Sequence, residues 1–168
     1  MSVDVLKRAG SFIVFALAQA MFLGRIHLFG CATPLLYVYF VILFPRNYPK
    51  WAILLWSFSL GLIIDIFFNT PGLAAATMTL LAVVQPYYLE MFVSREDFEE
   101  LKPTMKNLGV VKYLYYSIVL TLLYCVVFFT LESFSFFDLG EWLRCVIGST
   151  AITLVLILTF ESVTSRQQ

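Results

Sequence analysis

Between Trp51 and Leu89 the chain carries a single charged residue, Asp65. The run WAILLWSFSLGLIIDIFFNTPGLAAATMTLLAVVQPYYLEMF, from Trp51 to Phe92, is far too long and apolar for a water-soluble domain. A helix rises about 1.5 Å per residue, so roughly 20 residues cross a hydrocarbon core of about 30 Å. The run is long enough for two such crossings, with Asn69-Thr70-Pro71-Gly72 between them. Those four residue types favour a tight turn. Thr70 is expected as the N-cap of the second helix and Pro71 as its first helical residue. Ser57, Gly61 and Asp65 recur every fourth residue and therefore share one helix face. The stretch predicts a transmembrane hairpin with a carboxylate near its bend.

The other residues agree with a bilayer environment. Hydrophobic residues make up 61% of the chain and charged ones only 13%, too few to cover a water-exposed surface. No basic cluster with interleaved aromatics stands outside the apolar runs, so no nucleic-acid partner is expected. Apolar runs at 9–23, 31–44, 51–68, 71–92, 110–129 and 142–160 predict an all-α fold of six transmembrane helices, residues 1–168 forming one domain. The first two runs are short and must borrow length from their flanks. Lys7-Arg8 ahead of the first run, with Ala18-Gln19-Ala20 behind it, resembles a signal peptide. It is expected instead to be a retained span, with Ala16, Ala20 and Gly24 as a small-residue stripe for close helix contact. If the N-terminus is cytoplasmic, six spans put Lys7, Arg8, Arg46, Lys50, Arg95, Lys102, Lys106, Lys112 and Arg166 inside and only Arg25 and Arg144 outside. That asymmetry follows the positive-inside rule and predicts both termini in the cytoplasm. Tyr48, Trp51, Trp56 and Trp142 fall near span ends, as interfacial aromatics do. In the loop 93–112, Ser94-Arg95-Glu96-Asp97 opens a short surface helix ending before Pro103, with Phe98 and Leu101 on its bilayer side.

Asp65 is the most informative single residue. An ionisable group inside a span is a functional-site candidate. Near the C-terminus of its own helix it faces the negative end of the helix dipole and needs a partner. Arg25, or the amides that open span four near Gly72 and Leu73, are the expected partners, with His27 and Arg144 as others on that side. A lock that pins the hairpin to its neighbours is the expected role, ahead of a proton or substrate site. Gly72, Ala75, Ala76, Thr79 and Ala82 give span four a small-residue face. Pro86 is expected to loosen the last turn of span four, and Glu90 to pair with Arg95 or Arg46. Cys31, Cys125 and Cys145 are widely spaced, with no CxxC and no ligand cluster around His27, so no metal or cofactor is expected. No GxSxG, Walker loop, HExxH or Asp-rich metal motif is present, and no enzymatic activity is expected.

Two stretches, HLFGCATPLLYVYFVILFP and GLIIDIFFNTPGLAAATMTLLA, resemble the rod-shape-determining MreD family in its Bacteroidetes-type form. The resemblance lies in the turn Pro34-Leu35-Leu36-Tyr37 into span two, and in Gly61-Leu62-x-x-Asp65 followed by Gly72. It covers roughly residues 20 to 92, and otherwise overall length and helix count. Many relatives carry Arg where this chain has Gln85, so a basic contact there is not carried over. The resemblance implies a non-catalytic inner-membrane scaffold for lateral peptidoglycan synthesis and cell shape. Its partners would be an MreC-like single-span protein and, through it, the RodA glycosyltransferase and its transpeptidase partner. A second copy of the chain is a further expected partner. The six-helix fold of that family is similar to the S-components of energy-coupling-factor vitamin transporters. The alternative function is therefore an S-component with an outward pocket for a small vitamin. Asp65, Gly61, Ser57, Gly72, Ala76, Arg25 and Pro34 are the expected structural and partner-contact residues.

Overall fold

The computed structural model describes residues 2–21, 33–92, 103–133 and 139–167. Every regular element among them is helical. In chain order they are α1 (Ser2–Met21), α2 (Val38–Ile42), α3 (Lys50–Phe68), α4 (Leu73–Phe92), α5 (Met105–Leu108), α6 (Val110–Ser133) and α7 (Leu139–Gln167). Within them, Lys50–Phe68, Val110–Glu132 and Gly140–Thr164 are long and apolar enough to cross a membrane. The apolar part of α1, Arg8–Met21, is shorter. α4 matches α3 in length but dilutes its apolar character with Thr77, Thr79, Gln85, Tyr87 and Tyr88.

α3 and α4 form an antiparallel hairpin and share the most extensive contact in the molecule, followed by α6 with α7 and α4 with α6. The hairpin turn begins where Asn69 adopts a left-handed conformation, φ 55°. The Asn69 amide and the Thr70 amide both donate to the Asp65 carbonyl, which closes the last turn of α3. Gly72 follows at φ +80°, and α4 starts at Leu73, two residues later than the position of Pro71 suggested. Pro86 removes one backbone donor from α4, yet the helix continues to Phe92.

The second apolar run departs from expectation. Over its described residues it contains one helical turn, Val38–Ile42, and not a membrane-length helix. Thr33 to Leu35 are non-helical, and the amides of Val38, Tyr39 and Phe40 bond three residues back, to Leu35, Leu36 and Tyr37. Pro34 and Pro45 bracket the turn and deny a longer helix its donors. Every residue from Leu35 to Ile42 is buried, as is Phe44. The segment thus runs through the middle of the bundle and touches α1, α3, α4 and α6. Aromatic rings hold α1 to it: Phe12 and Phe15 meet Phe40 edge-on at 6.0 and 6.4 Å, and Phe15 meets Tyr39 at 5.6 Å.

The surface helix expected in the loop 93–112 falls on residues 93–102, outside the described residues. What is described there is α5, ending at Gly109, whose φ of +83° separates it from α6. Arg8 lies over the rings of Phe44 and Tyr48, 4.8 and 4.1 Å from their centroids, and Lys50 over Tyr87 at 4.1 Å. These cation–π contacts share the end of the bundle where α3 begins and α4 ends.

Candidate functional site

At the hairpin bend, Asp65 is 5% exposed and its carboxylate is fully engaged. Oδ1 accepts from the Ala74 amide at 2.8 Å and the Thr70 hydroxyl at 2.8 Å, and Oδ2 accepts from the Ala75 amide at 2.9 Å. Two opposed effects meet here. The end of α3 presents negative carbonyls, while the start of α4 presents positive amides. Direct bonds to the amides decide the outcome, because charge-assisted hydrogen bonds are worth about twice neutral ones. Asp65 therefore caps α4 from the preceding helix. Thr70, expected as the cap, instead spends its hydroxyl on Asp65. Of the two expected partners, the opening amides of span four are used, at Ala74 and Ala75, two residues later than Gly72 and Leu73. Arg25 and His27 lie outside the described residues.

Gly61, one turn before Asp65, lies directly against the backbone of α4. A Cβ on Gly61 would stand 2.6 Å from Ala75 Cα and 2.7 Å from the Ala74 oxygen, inside van der Waals contact with main chain that cannot swing away. Ser57, another turn back, is fully buried, and its Oγ has no partner. The Ser57, Gly61, Asp65 stripe is thus wholly interior. On α4 the facing residues are Ala74 and Ala75, with Ala82 also buried. Ala76, expected on that face, points away and is exposed, and Gly72 is exposed at the turn. Ala74 and Ala75 straddle the line of contact with α3, and a further 100° step carries Ala76 round to the outside of the bundle.

Pro34 is buried, and its carbonyl accepts from Gln19 Nε2 at 2.9 Å. It belongs to a wider arrangement that serves the broken segment. The Thr33 amide donates to Ser149 Oγ and the Leu35 amide to Thr153 Oγ1, both at 3.1 Å. Gln85 Nε2 donates to the Phe44 carbonyl at 3.1 Å and to the Tyr116 hydroxyl at 2.9 Å. The Tyr37 and Tyr124 hydroxyls bond each other. Irregular backbone inside a lipid-spanning bundle persists only when protein satisfies its polar groups, and here side chains from α1, α4, α6 and α7 do so. Where relatives of the resembled family were expected to carry Arg, Gln85 makes neutral contacts to backbone and phenol.

A second buried carboxylate went unnoticed in the sequence. Glu161 on α7 is 2% exposed. Its Oε2 accepts from the Tyr39 hydroxyl at 2.6 Å and its Oε1 from the Met105 amide at 3.0 Å. It does for α5 what Asp65 does for α4, occupying a helix N-terminus from another element. The signal was its place at the edge of an apolar run, eight residues after Thr153 on the same side of the helix. Cys125 and Cys145 are buried thiols, as expected of small core residues. Among the described residues no group of three or more His, Cys, Asp or Glu side chains is gathered as a metal site would require. Glu90 is exposed, and Arg95 lies outside the described residues.

Comparison with family models, with characterised proteins and with solved structures finds no match to this chain.

Proposed function

We propose that the protein is a multi-pass scaffold of the bacterial inner membrane, with six spans and both termini cytoplasmic, that works in the cell-elongation complex. In this reading it binds an MreC-like single-span protein and supports, through it, RodA and its transpeptidase partner in lateral peptidoglycan synthesis. The reading rests on the resemblance of residues 20–92 and on one structural observation. Four polar side chains that enter the bundle reach the chain's own backbone: Asp65 at Ala74 and Ala75, Glu161 at Met105, Gln19 at Pro34, Gln85 at Phe44. Side chains used this way hold a shape. A transport or substrate site would instead turn several of them toward a common space. The basic side chains Arg8 and Lys50 at one end of the bundle suit the cytoplasmic headgroup region.

The test is purification of the tagged full-length chain from its native membrane in mild detergent. A stoichiometric single-span protein in the eluate is the expected result. A bound vitamin-like compound without a protein partner would transfer the chain to the S-component reading.

A further inference from the structure

Where α3 begins and α4 ends, the bundle carries cations seated on aromatic rings. Lys50 is the first residue of α3, and its ammonium stands 4.1 Å from the centroid of the Tyr87 ring on α4. Arg8 of α1 stands over Tyr48 at 4.1 Å and over Phe44 at 4.8 Å. Tyr48 precedes Lys50 by two residues, and its amide closes a turn onto the Pro45 carbonyl at 3.2 Å. Both cations therefore belong to the surroundings of one short turn.

From Pro45 to Trp51 the chain holds Arg46 and Lys50 and no acidic residue. The first turn of α3 has none either, and the charge of Lys50 adds to the positive end of that helix instead of offsetting it. The one acidic residue of α4, Glu90, is exposed one turn beyond Tyr87. What holds the Lys50 ammonium is a ring face. A ring attracts a cation through its quadrupole and leaves the full positive charge in place. The patch thus combines excess positive charge with Tyr87 and Trp51, 57% and 70% exposed, two amphipathic rings of the kind that settle at headgroup depth. Toward the middle of the bundle the same outer surface turns apolar, with Leu55 one turn after Trp51 and Val83 one turn before Tyr87, both exposed.

We propose that this patch binds the headgroup of an anionic phospholipid, with the phosphate against Lys50 in a field to which Arg8 contributes, and the acyl chains along Leu55 and Val83. Charge complementarity selects the occupant. A phosphate diester without a cationic group of its own, as in phosphatidylglycerol, offsets the patch. The choline of a zwitterionic lipid repeats the charge already there. The assignment needs only a bilayer around the bundle, and holds whichever leaflet this end meets and whatever partners the protein has.

The test is native mass spectrometry of the delipidated full-length protein, titrated with phosphatidylglycerol and with phosphatidylcholine of the same acyl chains. A basic side chain near an anionic headgroup is worth about fivefold in affinity, so phosphatidylglycerol is expected to bind at least about fivefold more tightly, and Lys50→Gln to lose about fivefold of its affinity for that lipid. Lys106→Gln is the control. Lys106 is also exposed at this end of the bundle, on α5, and its loss is expected to leave the lipid preference unchanged. Equal affinity for the two lipids would overturn the assignment. So would equal losses in the two variants, which would reduce the effect to diffuse attraction by net charge. Displacement of phosphatidylglycerol by millimolar inorganic phosphate would overturn it as well, since the site would then take a free anion. The wild-type comparison of the two lipids decides by itself should the Lys50 variant fail to fold.

Discussion

At the level of single residues, Asp65 and Gly61 do complementary work one helical turn apart. Asp65→Ala leaves the Ala74 and Ala75 amides and the Thr70 hydroxyl without their acceptor. The loss is expected to be on the order of 2–3 kcal/mol, from removal of a helix cap and stranding of buried donors. Asp65→Asn keeps one oxygen for Thr70 and Ala74 but sets its NH2 against the Ala75 amide, so about half that loss is expected. Thermal unfolding in detergent should therefore rank wild type above Asn and Asn above Ala; equal melting of all three would remove Asp65 from the account. For Gly61→Ala, contact with rigid backbone predicts a destabilisation of about 1–3 kcal/mol, typical of overpacking. Gly10→Ala is the control, since a Cβ there meets nothing within 4 Å. On an exposed helical position it should stabilise by about 0.5–1 kcal/mol. The same assay on both variants separates close packing from helix propensity. The Ser57, Gly61, Asp65 stripe was legible in the sequence because period-four spacing and the cost of a charge in lipid are local properties. Which side of α4 meets it was not, because Ala74, Ala75 and Ala76 offer three equivalent small side chains, and only the phase set by the turn chooses among them.

Among the elements, the segment around α2 was the hardest to read. Leu35 to Phe44 is as apolar as a span, and hydropathy does not distinguish a chain facing lipid from one enclosed by other helices. Its brackets of proline hinted at a break, but the acceptors and donors that make the break tolerable sit far away in sequence, on Gln19, Gln85, Ser149 and Thr153. Gln85→Leu should test this dependence. It strands the Phe44 carbonyl and deprives Tyr116 of a donor, for a loss of about 1–3 kcal/mol; an unchanged melting temperature would show that the segment holds without it. The short helix α5 depends similarly on Glu161. Glu161→Gln can keep an oxygen on the Met105 amide, whereas Glu161→Leu cannot. Hydrogen exchange at Met105 should rise strongly in the Leu variant and little in the Gln variant. Equal protection in both would mean that α5 is held by its apolar contacts alone, Leu108 being its buried residue.

For the molecule as a whole, the proposed orientation makes a prediction that stability cannot reach. Lys106 on α5 and Glu141 on α7 are both exposed and belong to opposite ends of the bundle, separated by the length of α6. With both termini cytoplasmic, Lys106→Cys should react in intact cells only with membrane-permeant maleimides, and Glu141→Cys with impermeant ones as well. Both variants carry Cys31→Ser as well, and the native thiols Cys125 and Cys145 are buried. The reverse pattern would invert the topology. The charge distribution that motivates it was plain in the sequence, since Lys and Arg positions need no fold to be counted.

The bend of the α3–α4 hairpin has a consequence for how the chain enters the bilayer. Every group that satisfies the Asp65 carboxylate lies within ten residues of it. Its negative charge is therefore sheltered as soon as two consecutive helices lie side by side, before the later segments have been synthesised. Glu161, by contrast, draws on Tyr39 and Met105, distant in the chain, and stays unsheltered until assembly is nearly complete. Biogenesis of this protein thus has an early self-sufficient unit and a late closing step, each marked by one acidic side chain.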